Sequence, residues 1–122
     1  MKKILLGLAL SLGIAANVAA QDNKANVIKL DQTDGKFVVE SMTVEAGKFI
    51  FEVTNQGVDR EVGFVLVPVK NGKEGEHIKT AYLGKTIADG ETSKSKVVDL
   101  KPGTYSYFCP LNPTPHYTIV VK

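Results

Sequence analysis

The chain has 122 residues, of which 43% are hydrophobic and 23% charged, with one cysteine and a formal net charge of +2. That charge comes from Lys2 and Lys3, which stand in a segment without acids, so the chain from Gln21 onward is formally neutral. Neutrality removes the electrostatic reason for a nucleic-acid or anionic-membrane partner, and the length suits one domain that folds without disulfides.

Residues 1–20 read as an export signal. Lys2 and Lys3 precede an apolar stretch from Ile4 to Ala15, and Val18-Ala19-Ala20 offers small residues before a cut at Gln21. The stretch is shorter than the roughly 20 residues a membrane span requires, and no later segment qualifies, so no insertion is expected after signal removal. The domain is therefore placed at residues 21–122, in the periplasm or outside the cell, as a monomer.

From there the chain alternates short β-branched or aromatic runs with turn residues. Val27 to Leu30 comes first, and Lys36 to Glu40 follows the Asp34-Gly35 turn. Met42 to Val44 ends at Ala46-Gly47. Lys48 to Asn55 then alternates, with Phe49, Phe51 and Val53 on one face. After Asn55-Gln56-Gly57, Glu61 to Val67 is a more continuous apolar run, as a doubly buried strand requires. The stretch from Val69 to Asp89 is long, polar and Gly-punctuated, which marks it as functional or mobile, with a short helix or strand over His77 to Leu83. Lys96 to Leu100, Thr104 to Cys109 and Tyr117 to Val121 complete the set. No repeat or linker divides the domain. The pattern predicts an all-β, antiparallel sandwich or barrel of about seven to eight strands.

An exported chain with one cysteine cannot close an internal disulfide, so Cys109 is a buried thiol, half of an intermolecular bridge, or a metal ligand. Its setting, Pro102-Gly103-Thr104-Tyr105-Ser106-Tyr107-Phe108-Cys109-Pro110, resembles the ligand strand of cupredoxins, the small blue-copper β-sandwich family. Thr43 to Asn55 resembles that family's opening hairpin and Asn-ended strand, and Ala88-Asp89-Gly90-Glu91-Thr92 its Gly-Glu-Thr turn. The resemblance covers nearly all of residues 21–122 and implies a Greek-key sandwich.

A blue-copper centre takes two imidazoles and one thiolate in a trigonal plane, with a weak axial thioether or oxygen. The resemblance puts the first histidine just after the Asn-x-Gly turn, where this chain has Arg60 and Glu61. It puts the second three residues after the cysteine in the shortest loops, which here is Asn112. The axial methionine is missing from Pro113-Thr114-Pro115-His116. Cys109 therefore carries over, and His116, near the axial position, is the imidazole that accompanies it. His77 and Met42, with Cys109 and His116, complete a blue-copper inventory if the long segment folds back. Arg60 offers another filling for the vacated space, by pairing with Asp59 or Asn112. Each residue also has a packing role open to it: Cys109 and Met42 in the core, His77 and His116 on the surface, Tyr105 as a corner tie through its hydroxyl.

Two functions follow. One is copper handling, with one ion bound by Cys109 and His116 in an atypical site and a redox or metal-trafficking protein as partner. The other is a metal-free module of the same fold that binds a protein partner. Catalysis is not expected, since a Cys109–His116 pair lacks an orienting group and an oxyanion hole.

Overall fold

Side-chain alternation along one strand sets the architecture. In β4 (Gly47–Asn55), Phe49, Phe51, Val53 and Asn55 turn inward and are buried, while Lys48 faces solvent. The computed structural model describes residues 25–122, so the signal segment at residues 1–20 and the start of the domain at Gln21 lie outside the described residues. Two five-stranded sheets face each other across one core.

The first sheet centres on β4. It is flanked by β1 (Asn26–Thr33), which carries β2 (Lys36–Phe37) on its far side. Opposite β1, β4 pairs with β7 (Thr92–Lys94) along one half and β8 (Val98–Leu100) along the other. Ser95 makes the break between them: its N–H donates to the Phe51 carbonyl while its Oγ accepts the Phe51 N–H. The second sheet runs β3 (Ser41–Val44), β10 (Tyr117–Val121), β9 (Gly103–Phe108), β5 (Val65–Lys70), β6 (Lys73–Glu74). Most pairs are antiparallel, but β1–β4 and β3–β10 are parallel. Chain order thus crosses repeatedly between the sheets, giving the all-β sandwich that the sequence predicts, with ten strands once the two-residue ladders β2 and β6 are included.

The predicted run Glu61 to Val67 starts later as a strand and extends further. Its unbroken burial from Phe64 to Val67 arises because β5 is a central strand between β9 and β6. The stretch from Val69 to Asp89 is tied to the sandwich at several points. Asn71 and Gly72 both have left-handed backbones (φ 54° and 75°), the type I′ turn that closes the β5–β6 hairpin. The Ile78 N–H then donates to the Leu66 carbonyl, a single 3-10 turn spans Lys79–Ala81, and Ala81 and Ile87 are fully buried.

The core holds an aromatic cluster. Phe37 meets Tyr107 edge-on at 5.1 Å, and Phe51 lies 4.9 Å from Phe64 between ring centres. Tyr105 ties the corner before β9, donating its hydroxyl to the Lys101 carbonyl at 2.9 Å. Tyr107 donates to the Val39 carbonyl, and its phenol is pushed from 10.0 up to about 12, first by burial and then by the nearby Tyr117 and Glu40. A raised folded-state value means that the stability linked to this phenol is fully present below pH 10 and is lost as pH climbs towards 12. Tyr107→Phe is therefore expected to flatten the alkaline arm of the stability-against-pH curve, measured by urea unfolding with phenolate absorbance followed in parallel.

Candidate functional site

Cys109 immediately follows β9, where strand alternation sends Tyr105, Tyr107 and Cys109 to the inner face and Phe108 to the outer one. The thiol is 1% exposed. Its Sγ accepts two backbone N–H groups, from Gly63 and from Asn112, both at 3.3 Å. The Cys109 N–H in turn donates to Thr114 Oγ1 at 3.0 Å, which folds the proline-rich loop back over the strand end.

Asn112 is almost wholly buried and its carboxamide is committed. Nδ2 donates to Gln32 Oε1 at 2.8 Å and to the Thr33 carbonyl at 2.9 Å, while Oδ1 accepts the Gly35 N–H at 2.8 Å. Gln32, fully buried on β1, donates from Nε2 to the Gly63 carbonyl at 3.1 Å. The result is a closed ring of polar contacts through Cys109, Gly63, Gln32 and Asn112. Sequence reasoning missed Gln32 because it reads as one polar residue in an exposed-looking strand end. The only signal was its inward parity with Leu30 along β1.

The segment that reaches the thiol is Gly63, not Arg60 or Glu61. Asn55 holds the intervening turn by donating to the Arg60 carbonyl at 3.0 Å, and Glu61 accepts a hydrogen bond from Thr86. Beside Gly63, Val62 is fully buried and bridges Ile87. The expected pairing of Arg60 with Asp59 or Asn112 is absent among the described residues, because Asn112 has its partners elsewhere and Arg60 faces solvent.

His116 stands apart from Cys109. Its ring stacks flat on Phe108, 3.8 Å between centres and 3° between planes, and its Nδ1 meets Glu74 Oε2 at 2.6 Å. Since Phe108 points away from the core, His116 lies outside the sheet and the thiol inside it. His77 joins His116 rather than Cys109: it packs edge-on to Phe108 at 6.2 Å and its Nδ1 shares a hydrogen bond with the Tyr82 hydroxyl at 2.8 Å. Met42 sits on β3, opposite Ile119, packed against the core.

Two imidazoles and a thiolate therefore do not converge. Among the described residues no group of three His, Cys, Asp or Glu side chains could share a metal ion. The donor set does not fit a trigonal copper centre. Among the described residues the hydrogen-bond partners of the thiol are backbone N–H groups, not imidazoles.

Beside the Cys109 loop lies an open, largely apolar groove of about 360 Å³. Phe64 and Val65 line it, with Tyr82 and Leu83 on one element and Pro110 and Leu111 on another. Tyr82 is 41% exposed and Leu111 47%. Neither residue stood out in the sequence, because the groove is made by segments far apart in the chain.

A family model described as a cupredoxin-like domain matches residues 4–121. No curated relative matches the chain. Among solved structures, one that shares the fold is auracyanin A, a "blue" copper protein from the green thermophilic photosynthetic bacterium Chloroflexus aurantiacus. It is 18% identical, covering 81% of this chain and 100% of that one, with a TM-score of 0.62. The dithionite-reduced auracyanin from the photosynthetic bacterium Roseiflexus castenholzii is 13% identical, covering 80% and 98%, with a TM-score of 0.58. A Cu-containing nitrite reductase from Thermus scotoductus SA-01 is 18% identical, covering 86% of this chain and 24% of that one, with a TM-score of 0.55.

Proposed function

The chain belongs to the cupredoxin-like domain family, and from that premise we propose that it is an exported, metal-free module of this fold that binds a protein partner. One observation carries the reading: His116 stacks on the outward-facing Phe108, whereas the Cys109 thiol is buried and enclosed by the Gln32–Asn112–Gly63 ring instead of by imidazoles. A buried ring in which the polar side chains have partners is a structural solution for a polar core site, and opening it to admit a metal leaves several groups unpaired. Export rests on the pattern of residues 1–20. No helix among the described residues is long and apolar enough to cross a membrane. No catalytic role forms part of this reading.

Native mass spectrometry of residues 21–122, titrated with Cu(I) and Cu(II), tests this. The expected result is the same copper content in wild type and in Cys109→Ser. One ion kept by the wild type and lost in the variant would overturn the reading.

That outcome would support the second one, copper handling through Cys109 and His116. Its support is the pair of N–H donors already aimed at the sulfur, the polar surroundings that a metal-bound thiolate needs. It requires His116 to leave Phe108 and Glu74, so His116→Ala should then abolish binding and His77→Ala should not.

A further inference from the structure

The groove beside the Cys109 loop has a second compartment. On the other side of the Tyr82–Leu83 segment lies an open depression of about 340 Å³, to which Tyr82 and Leu83 also contribute. Its charged lining is Lys79, Lys94 and Lys96, with no carboxylate. Lys94 meets Glu52 at 3.8 Å, whereas Lys79 and Lys96 have no ion-pair partner among the described residues. Lys85 stands at the apolar compartment and pairs loosely with Glu91 at 3.6 Å. An apolar compartment and a cationic one thus share a single wall.

That wall is held in place from behind. The Tyr82 hydroxyl is fixed by His77, and His77 packs on Phe108, whose face carries His116 tethered to Glu74. Below it, Gly84 donates its N–H to the Lys94 carbonyl at 3.0 Å, and Leu83 bridges Ser95. The surface is pre-organised by packing and hydrogen bonds, which lowers the ordering cost of binding.

We propose that this two-part surface docks an acidic polypeptide segment, which places one bulky apolar side chain between Tyr82 and Leu111 and sets its carboxylates against Lys79 and Lys96. The proposal deepens the partner-binding reading and rests on it. Charge complementarity selects the occupant: unpaired ammonium groups attract carboxylates, and the exposed Tyr82 and Leu111 supply an apolar anchor site. Both compartments are open to solvent, which suits a polypeptide laid across the surface, whereas small ligands are taken into enclosed clefts.

The test is selection of a random-peptide display library on the wild-type protein and, in parallel, on Leu111→Ser and on Lys79→Glu/Lys96→Glu. Binding of the selected peptides is then measured as synthetic peptides and mapped by amide chemical shifts. The expected outcome is a consensus that combines acidic residues with one large apolar residue. Shifts should cluster at Phe64, Leu83, Lys96 and Leu111, and affinity should fall about tenfold or more in each variant. All these side chains except Phe64 lie at least partly at the surface, so the variants are expected to fold, which their amide spectra check directly.

No consensus, a consensus without acidic residues, or equal binding by the variants would overturn the proposal. So would saturable binding of decanoate at the same amides without any peptide binding, which would mark a site for small amphiphilic anions. Any of these results, combined with the absence of Cys109-dependent copper, leaves the module reading standing with its partner on another face. Cys109-dependent copper uptake overturns the reading itself.

Discussion

Asn112→Leu is expected to destabilise the protein by about 3 kcal/mol and to make Cys109 reactive towards thiol reagents. The substitution strips partners from the buried Gln32 Oε1, from the half-buried Thr33 carbonyl and from the N–H of the exposed Gly35, and it leaves the Gln32 oxygen as the costliest of the three. Each buried polar group left unpaired costs about 1–3 kcal/mol, and relaxation towards water recovers part of the sum. That loss is a large fraction of the roughly 5–15 kcal/mol that holds a typical domain together. Urea unfolding reads the stability, and alkylation kinetics under native conditions read the access. If stability falls while alkylation stays slow, the ring supports the fold without guarding the thiol.

Asn55→Ala is expected to have an effect of similar size, about 3 kcal/mol, in the turn that leads from β4 towards Gly63. Asn55 is fully buried at the end of β4. Its Nδ2 serves the carbonyls of Val58, Arg60 and Ile87 at 3.3, 3.0 and 3.2 Å, and its Oδ1 accepts the Val58 N–H at 2.8 Å. Alanine keeps the backbone bonds to Gly90 and Glu91 but leaves the turn's own carbonyls and N–H without a partner. Hydrogen exchange should quicken first at Val58 and Val62, before global unfolding, because the turn loses its internal anchor while the sheets stay intact. Uniform quickening across both sheets would instead show that the turn unfolds only with the whole domain.

The fold was legible because its signals are local. Phe49, Phe51 and Val53 alternate with polar neighbours, and their burial follows from strand parity alone. Tyr105, Tyr107 and Cys109 share a face for the same reason, and the hydroxyl tie of Tyr105 follows from its place at the strand's start. The long segment read only as functional or mobile, and how it attaches to the sandwich was not legible. Its polarity is real, yet Ile78, Ala81 and Ile87 pin it at intervals that no single window of sequence reveals. The site was less legible still. Cys109 and His116 are close in sequence, but the odd spacing between Phe108 and Cys109 sends their surroundings to opposite faces of β9. Gln32 and Asn112 lie 80 positions apart, and only tertiary pairing of β1 with the loop makes them one unit.

The strand order also bears on when the chain can fold. In the second sheet β10 lies between β3 and β9, in parallel register with β3 and antiparallel to β9. Tyr117 to Val121 must therefore be synthesised before that sheet has a continuous centre, and β3 has no neighbour until then. Pairings between strands so distant in sequence also form slowly. A nascent chain of this topology cannot complete its second sheet while Tyr117–Val121 is still held in the ribosome. The position of one strand thus acts as a timer, which defers closure of the second sheet until β10 is available to pair.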